Sequence, residues 1–412
     1  MKERYIIAII ILSIFLVPTF NIGGLPIRFE DLIFISILFS FKKQPDLKNL
    51  RIFYIILIFL TAFSLLSLFI QILKGYIPVL GDINSLFSLV RNIVIFYAGS
   101  LIGNNLKIKS ENLIKILSIG FFISAIASLI QYFDLGGIGQ ELFLIYGKEK
   151  ELEYGLSRAI GTLGNPNYAA FFQVNAFIAL LVLKRNKSVN SIVSIILLLI
   201  IITSVFVTFS RTGLICIILL FLFNLLLEKK YLSLALISFV VFATSPIISS
   251  LSRNTRYGSL FESTSSGNGT DIFTLNGRID GIWMEKFDRF INNPLLGIGS
   301  AKGLRSNTEF DIITFDNSFL YIIVTSGIIG FFLYFIFYYN IIKIFTRKIR
   351  SYEESIIIYI LLLHVNILVF YFTTDLIIVV EFTTFYFFTV GIFLNHKKND
   401  QTLSLNSNIK LE

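Results

Sequence analysis

Cysteine occurs once, histidine twice and tryptophan once in 412 residues, and charged side chains supply only 15% of the chain. A single Cys216 cannot close an intramolecular disulfide, and with two histidines it leaves no Cys/His ligand set, so no metal or other cofactor is expected. The scarcity of charge stands against 55% hydrophobic residues, 44 phenylalanines and a mean hydropathy of +0.80, a composition that excludes an ordinary soluble domain. The formal net charge of +9 would suit a nucleic-acid binder in a polar chain. Here it is read instead by where lysine and arginine fall between the apolar runs, and no nucleic-acid partner is expected.

Runs of about 20 apolar residues cross a bilayer as helices. They fall at roughly 5–20, 25–41, 51–73, 84–103, 113–133, 166–183, 190–208, 212–227, 231–248, 317–342, 353–373 and 376–395. The sequence therefore predicts an all-α fold, a polytopic membrane bundle of about 12 transmembrane helices forming one domain over 1–412. Lys2 and Arg4 precede the first run as they would in a signal peptide, but no small-x-small cleavage site follows, so the run is read as a span.

Orientation follows from alternate connections. With the N-terminus cytoplasmic, the inner segments hold Lys2 and Arg4; Lys42, Lys43, Lys48 and Arg51; Lys107, Lys109 and Lys115; Lys184, Arg185 and Lys187; Lys229 and Lys230; Lys343, Arg347, Lys348 and Arg350; then Lys397 and Lys398. The short outer connections carry Arg28, Lys74 and Arg211. Because positive charge is retained on the cytoplasmic side, both termini are expected there.

Two outer segments are too long to be mere connectors, 134–165 and 249–316. The second contains the turn-rich "STSSGNGT" at 263–270 and then "NGRIDGIWMEKFDRFINNP" at 276–294. There Ile279, Ile282, Trp283, Phe287, Phe290 and Ile291 recur at helical spacing, with Asn276 able to cap the start and Pro294 ending the run. This predicts an amphipathic helix on the outer surface, with Trp283 at headgroup level.

Arginines gather on the same side. Arg278 falls in the first turn of that helix, where free backbone N–H groups favour an anion and a cation is otherwise unusual. Arg211 sits at the tip between the seventh and eighth spans, and Arg158 closes the first long outer segment. Arg91 lies inside the fourth span, roughly 10 Å from its outer end at 1.5 Å per residue. A charge at that depth needs either a substrate anion or an internal ion pair. Several guanidinium forks suit a diphosphate, since each binds phosphate oxygens in pairs and stays charged when buried.

Four fragments carry a family resemblance: "GTLGNPNYAAFF" at 161–172, "TFSRTGLI" at 208–215, "NGRIDGIWMEKFDRFINNPLLGIGSAKG" at 276–303 and "DNSFLYIIVTSGIIGFFLY" at 316–334. In order and spacing they resemble the landmarks of the O-antigen ligase and polymerase superfamily, over roughly 158–335. The resemblance implies a bacterial cytoplasmic-membrane glycosyltransferase related in fold to the C-type glycosyltransferases. It implies an undecaprenyl-pyrophosphate-linked glycan as donor, used at the outer face without metal or nucleotide sugar, and a flippase and a chain-length regulator as partners. Arg278 and Arg211 would stabilise the departing diphosphate, and Arg91, Arg158, Asn165, Asn167 and Asn317 would line the substrate site.

Ligases of the superfamily typically place His before Asn where this chain has Asp316 and Asn317. A carboxylate can accept the proton of an attacking sugar hydroxyl, so Asp316 is read as catalytic. The Asp-Asn form resembles polymerases that join oligosaccharide repeat units of O-antigen, capsule or exopolysaccharide; a ligase acting on lipid A-core or protein is the alternative. Asp and Asn are also ordinary helix N-caps, Asn165, Pro166 and Asn167 are ordinary helix starters, and Gly297, Gly299 and Gly303 read as tight turns. Asp375 and Glu381 are potential arginine partners. A polysaccharide or lipid transporter is the reading from another class, but no internal repeat relates the two halves.

Overall fold

The computed structural model describes residues 2–22, 25–41, 44–45, 47–106, 108–147, 158–233, 235, 283–301, 304, 315–347 and 353–396. In chain order the elements are α1 (Lys2–Leu16), β1 (Phe20–Ile22), β2 (Leu25–Ile27), α2 (Phe29–Ser40), α3 (Leu47–Leu73), α4 (Leu80–Asn105), α5 (Ser110–Phe133) and α6 (Gly139–Tyr146). They continue with α7 (Pro166–Arg185), α8 (Ser191–Val207), α9 (Arg211–Leu227), α10 (Met284–Asn292), α11 (Ser318–Arg347), α12 (Glu354–Tyr371) and α13 (Val380–Asn395). Among the described residues, strand structure is confined to the β1–β2 hairpin. Each predicted span except 231–248 coincides with a helix; that one lies almost wholly outside the described residues. By length and composition α3, α4, α5, α7, α11 and α12 can each cross a bilayer, and α8, α9 and α13 are shorter apolar helices.

The helices form a polytopic bundle whose centre is α7, α13 and the inward faces of α4, α5 and α12. α13 lies so close along α4 that a Cβ on Gly99 would stand 2.4 Å from Phe388 O, and one on Gly103 would stand 2.3 Å from Ile392 O. Between lipid-facing helices no hydrophobic driving force is available, so such backbone approach is where van der Waals packing holds them. Phe15, Phe121, Phe171, Phe172, Phe382 and Phe385 interlock edge-to-face at the centre.

The two ends of the bundle are tied differently. At one end, Arg185 pairs with Glu354 at 2.6 Å, Glu353 accepts from Ser110, and Glu111 accepts from Ser188. This is the end that the charge count assigns to the cytoplasm. The opposite end, here called outer, carries the connections 74–79, 158–165, 208–210, 293–301 and 372–379.

One outer connection enters the bundle. α11 is broken at Gly327, whose φ of +62° and ψ of −169° are open to glycine alone. The amides that the break would orphan, and the carbonyls facing them, pair with the 294–299 segment: Ile298 N donates to Val324 O, Gly299 N to Thr325 O, Ile328 N to Pro294 O and Ile329 N to Leu295 O, all at 2.8–3.3 Å. Ser67 of α3 donates to Gly297 O at 2.7 Å. Non-helical backbone at this depth is tolerated because the protein itself satisfies it. Gly297 and Gly299, both at positive φ, make the tight turns expected of them; Gly303 lies outside the described residues.

Candidate functional site

The outer ends of α7, α9, α11 and α12 meet in a polar network. Arg158 donates from Nε to Thr208 O at 2.9 Å and from Nη2 to Asn167 Oδ1 at 3.4 Å, and Ala159 N donates to Val207 O. The 160–161 backbone beside it is held by Gln131 of α5, which accepts from Ile160 N and Gly161 N and donates to Gly161 O. Asn165 caps α7, its Oδ1 accepting from Asn167 N at 2.9 Å. Arg211 is the first residue of α9, behind a cap in which Ser210 Oγ accepts from Gly213 N. The next residue, Thr212, shares a hydrogen bond of 2.8 Å with Thr373 after the end of α12.

From Thr373 the network continues to the Asp-Asn pair. Thr374 O accepts from Ser318 Oγ at 2.7 Å. Asp375 is a buried carboxylate that accepts from three consecutive amides: Phe315 N at 2.5 Å, Asn317 N at 2.8 Å, and Asp316 N between them. Asp316 itself is held at φ +49°, in the left-handed region. Asn317 accepts from Leu320 N at 3.0 Å and so caps α11. Burial first, and the neighbouring Asp316 carboxylate second, push the Asp375 carboxyl up to about 7, against the downward pull of the three amides.

α10 lies over this turn. The indole of Trp283 donates to Phe315 O at 3.0 Å, and Asn293 accepts from Gln71 and Lys74 of α3. Met284, Phe287 and Ile291 are exposed, whereas Lys286 is 2% exposed and stands 5.8 Å over the Phe315 ring. An amphipathic helix with its apolar side outward and a lysine inward suits a bilayer surface. Burial pushes the Lys286 ammonium down, and Glu285 at 3.5 Å pulls it back up. The start of the predicted helix, with Asn276, Arg278, Ile279 and Ile282, lies outside the described residues, as does 263–270.

Arg91 belongs to a different cluster. Its Nε is 2.6 Å from Asp31 and its Nη2 3.8 Å from Glu30, while Arg28 bonds Glu30 and Glu381, each at 2.5 Å. Arg28 also donates to the carbonyls of Ile14 and Val17. The charge of Arg91 is met by carboxylates of α2, the internal ion pair that the sequence reading offered beside a substrate anion. Glu381 takes an arginine partner, as the sequence suggested, whereas Asp375 takes backbone amides.

So the structure joins Arg158, Asn165, Asn167, Asp316, Asn317 and the Arg211 helix start in one network, while Arg91 pairs with Glu30 and Asp31. Asn165 and Asn317 spend their side-chain oxygens on caps. Sequence reasoning did not single out Gln131 or Lys286 and read Asp375 only as a potential arginine partner; a polar residue in or beside an apolar run was the signal for Gln131 and Asp375, whereas Lys286 stands among Glu285, Asp288 and Arg289. Inward of the network, an apolar cavity of about 440 Å³ opens between α9, α11 and α12, with Phe319 and Tyr371 near its outer end and Tyr338, His364 and Leu368 deeper. His364 is engaged by Ile360 O and Tyr386 OH within the bundle, away from the Asp-Asn turn.

No curated protein matches the chain. Residues 195–335, which run from α8 through the outer loop into α11, match the family model described as O-antigen ligase.

Proposed function

We propose that the protein polymerises undecaprenyl-pyrophosphate-linked oligosaccharide repeat units into O-antigen, capsule or exopolysaccharide at the outer face of the cytoplasmic membrane. The supporting observation is the hydrogen-bonded network that brings Arg158, the Arg211 helix start and the Asp316 turn to one end of the bundle. The acceptor hydroxyl attacks the anomeric carbon, its proton passes to the Asp316 carboxylate, and the bond from that carbon to the diphosphate oxygen breaks. The leaving group is the lipid diphosphate, whose growing charge Arg158, Arg211 and Arg278 stabilise in a site poor in water. The apolar cavity beside the network suits the hydrocarbon tail of the same donor.

Replacing Arg278, Arg211 or Asp316 in the native host and resolving surface glycan by gel tests the reading. Loss of the long-chain ladder with single repeat units still attached is the expected result. Loss of all attached glycan, with lipid-linked polymer accumulating, indicates a ligase instead. Unchanged glycan in all three variants sinks the transferase reading and favours transport.

A further inference from the structure

Between α12 and α13 the chain makes one short buried connection, and its Asp375 is the only side chain there shown to accept from three consecutive backbone amides of another segment. That segment, 315–317, is short, carries a residue at φ +49°, and precedes α11 directly. An aspartate in the left-handed region is tolerated but not favoured, so something outside residue 316 must hold it there. Further side-chain ties converge on the same turn: Ser318 Oγ to Thr374 O at 2.7 Å, Asn317 Nδ2 to Phe372 O at 3.4 Å, and the Trp283 indole to Phe315 O at 3.0 Å. None of these fixes the orientation of the peptide planes on both sides of Asp316, whereas a carboxyl group accepting from the amides of 315, 316 and 317 does.

We infer that Asp375 is a positioning residue: its carboxyl group holds the Phe315–Asp316–Asn317 backbone in the left-handed turn that aims Asp316 at the substrate. The inference rests on the glycosyl-transfer reading only for the reaction that Asp316 serves. The anchoring is a property of the chain whatever that reaction is. Asp375 is buried behind the turn, so it acts on the turn and not on the donor.

The full-length protein in detergent or nanodiscs, wild type and Asp375→Asn, separates the two parts. An asparagine keeps the shape but turns an NH2 group toward amides that need an acceptor. Amide hydrogen exchange across 315–317 is expected to rise at least about tenfold, with α12 and α13 unchanged. With a lipid-linked repeat unit as substrate, kcat is expected to fall about 10- to 100-fold while KM for the donor stays within about twofold, the pattern of a misaimed group and not of lost binding. Wild-type exchange across the turn overturns the inference, as does raised exchange with unaltered kcat, or a change confined to KM. If the asparagine variant does not fold, Asp375→Glu, which displaces the carboxylate by one methylene, is read by the same two measurements and by the same criteria. A wild-type protein inactive on lipid-linked glycan would sink the transferase reading, while the exchange result would still decide the anchoring.

Discussion

Asn317 and Asp375 show what one side chain can do at a helix start. Asn317 Oδ1 takes the Leu320 amide, so Asn317→Ala removes a cap and is expected to destabilise the purified protein by about 1 kcal/mol, read as a lowered denaturation midpoint. Asp375 also gives a pH dependence. Its carboxyl is raised to about 7 in the folded protein, above the usual carboxylate value near 4. A group raised on folding favours the folded state while protonated, so its contribution is complete below about 4 and is lost as pH rises through about 7. The melting-temperature advantage of wild type over Asp375→Asn, measured in detergent from pH 5 to pH 8, is therefore expected to shrink as pH rises. Residues were legible in the sequence where chemistry alone set them apart: arginines at outer connections, and the Asp-Asn pair before an apolar run. Their partners were not, because Glu30 meets Arg91 across helices and Asp375 meets residue 315 across the bundle. A local pattern carries no record of such meetings.

The broken helix α11 is the element whose geometry departs furthest from its pattern. Its apolar run predicts one continuous span; yet Gly327 marks a break into which the outer segment inserts. The glycines of "LLGIGSAKG" signalled turns, but the depth at which those turns are used depends on α3 and α11 together. A Cβ at Gly327 would stand 2.2 Å from Leu295 O. Gly327→Ala is accordingly expected to lower stability by at least about 2 kcal/mol and to free the 294–299 segment to proteolysis, whereas an alanine at Gly136, at φ +72° but with open space around it, carries only the backbone strain of about 1–2 kcal/mol and leaves 294–299 protected. Limited proteolysis of the two variants in nanodiscs distinguishes them.

For the molecule as a whole, hydropathy made the fold class and nearly every span legible, because a bilayer demands long apolar helices. Orientation rests on lysine and arginine counts alone. It is tested by placing single cysteines in a Cys216→Ala background: at Gly136 a membrane-impermeant maleimide is expected to label intact cells, and at Lys187 or Lys229 only broken ones. The opposite outcome would turn the proposed site toward the cytoplasm and end the case for an outer-face transferase.

The insertion of 294–299 into α11 also dictates an order of assembly. α3, with the Ser67 hydroxyl that meets Gly297, is synthesised long before the outer segment, and α11 comes after it. A span that reaches the bilayer with unpaired amides at Gly327 is poorly tolerated until a neighbour supplies their partners. The 294–299 segment supplies those partners, so the break in α11 is satisfied only once that segment lies between α3 and α11.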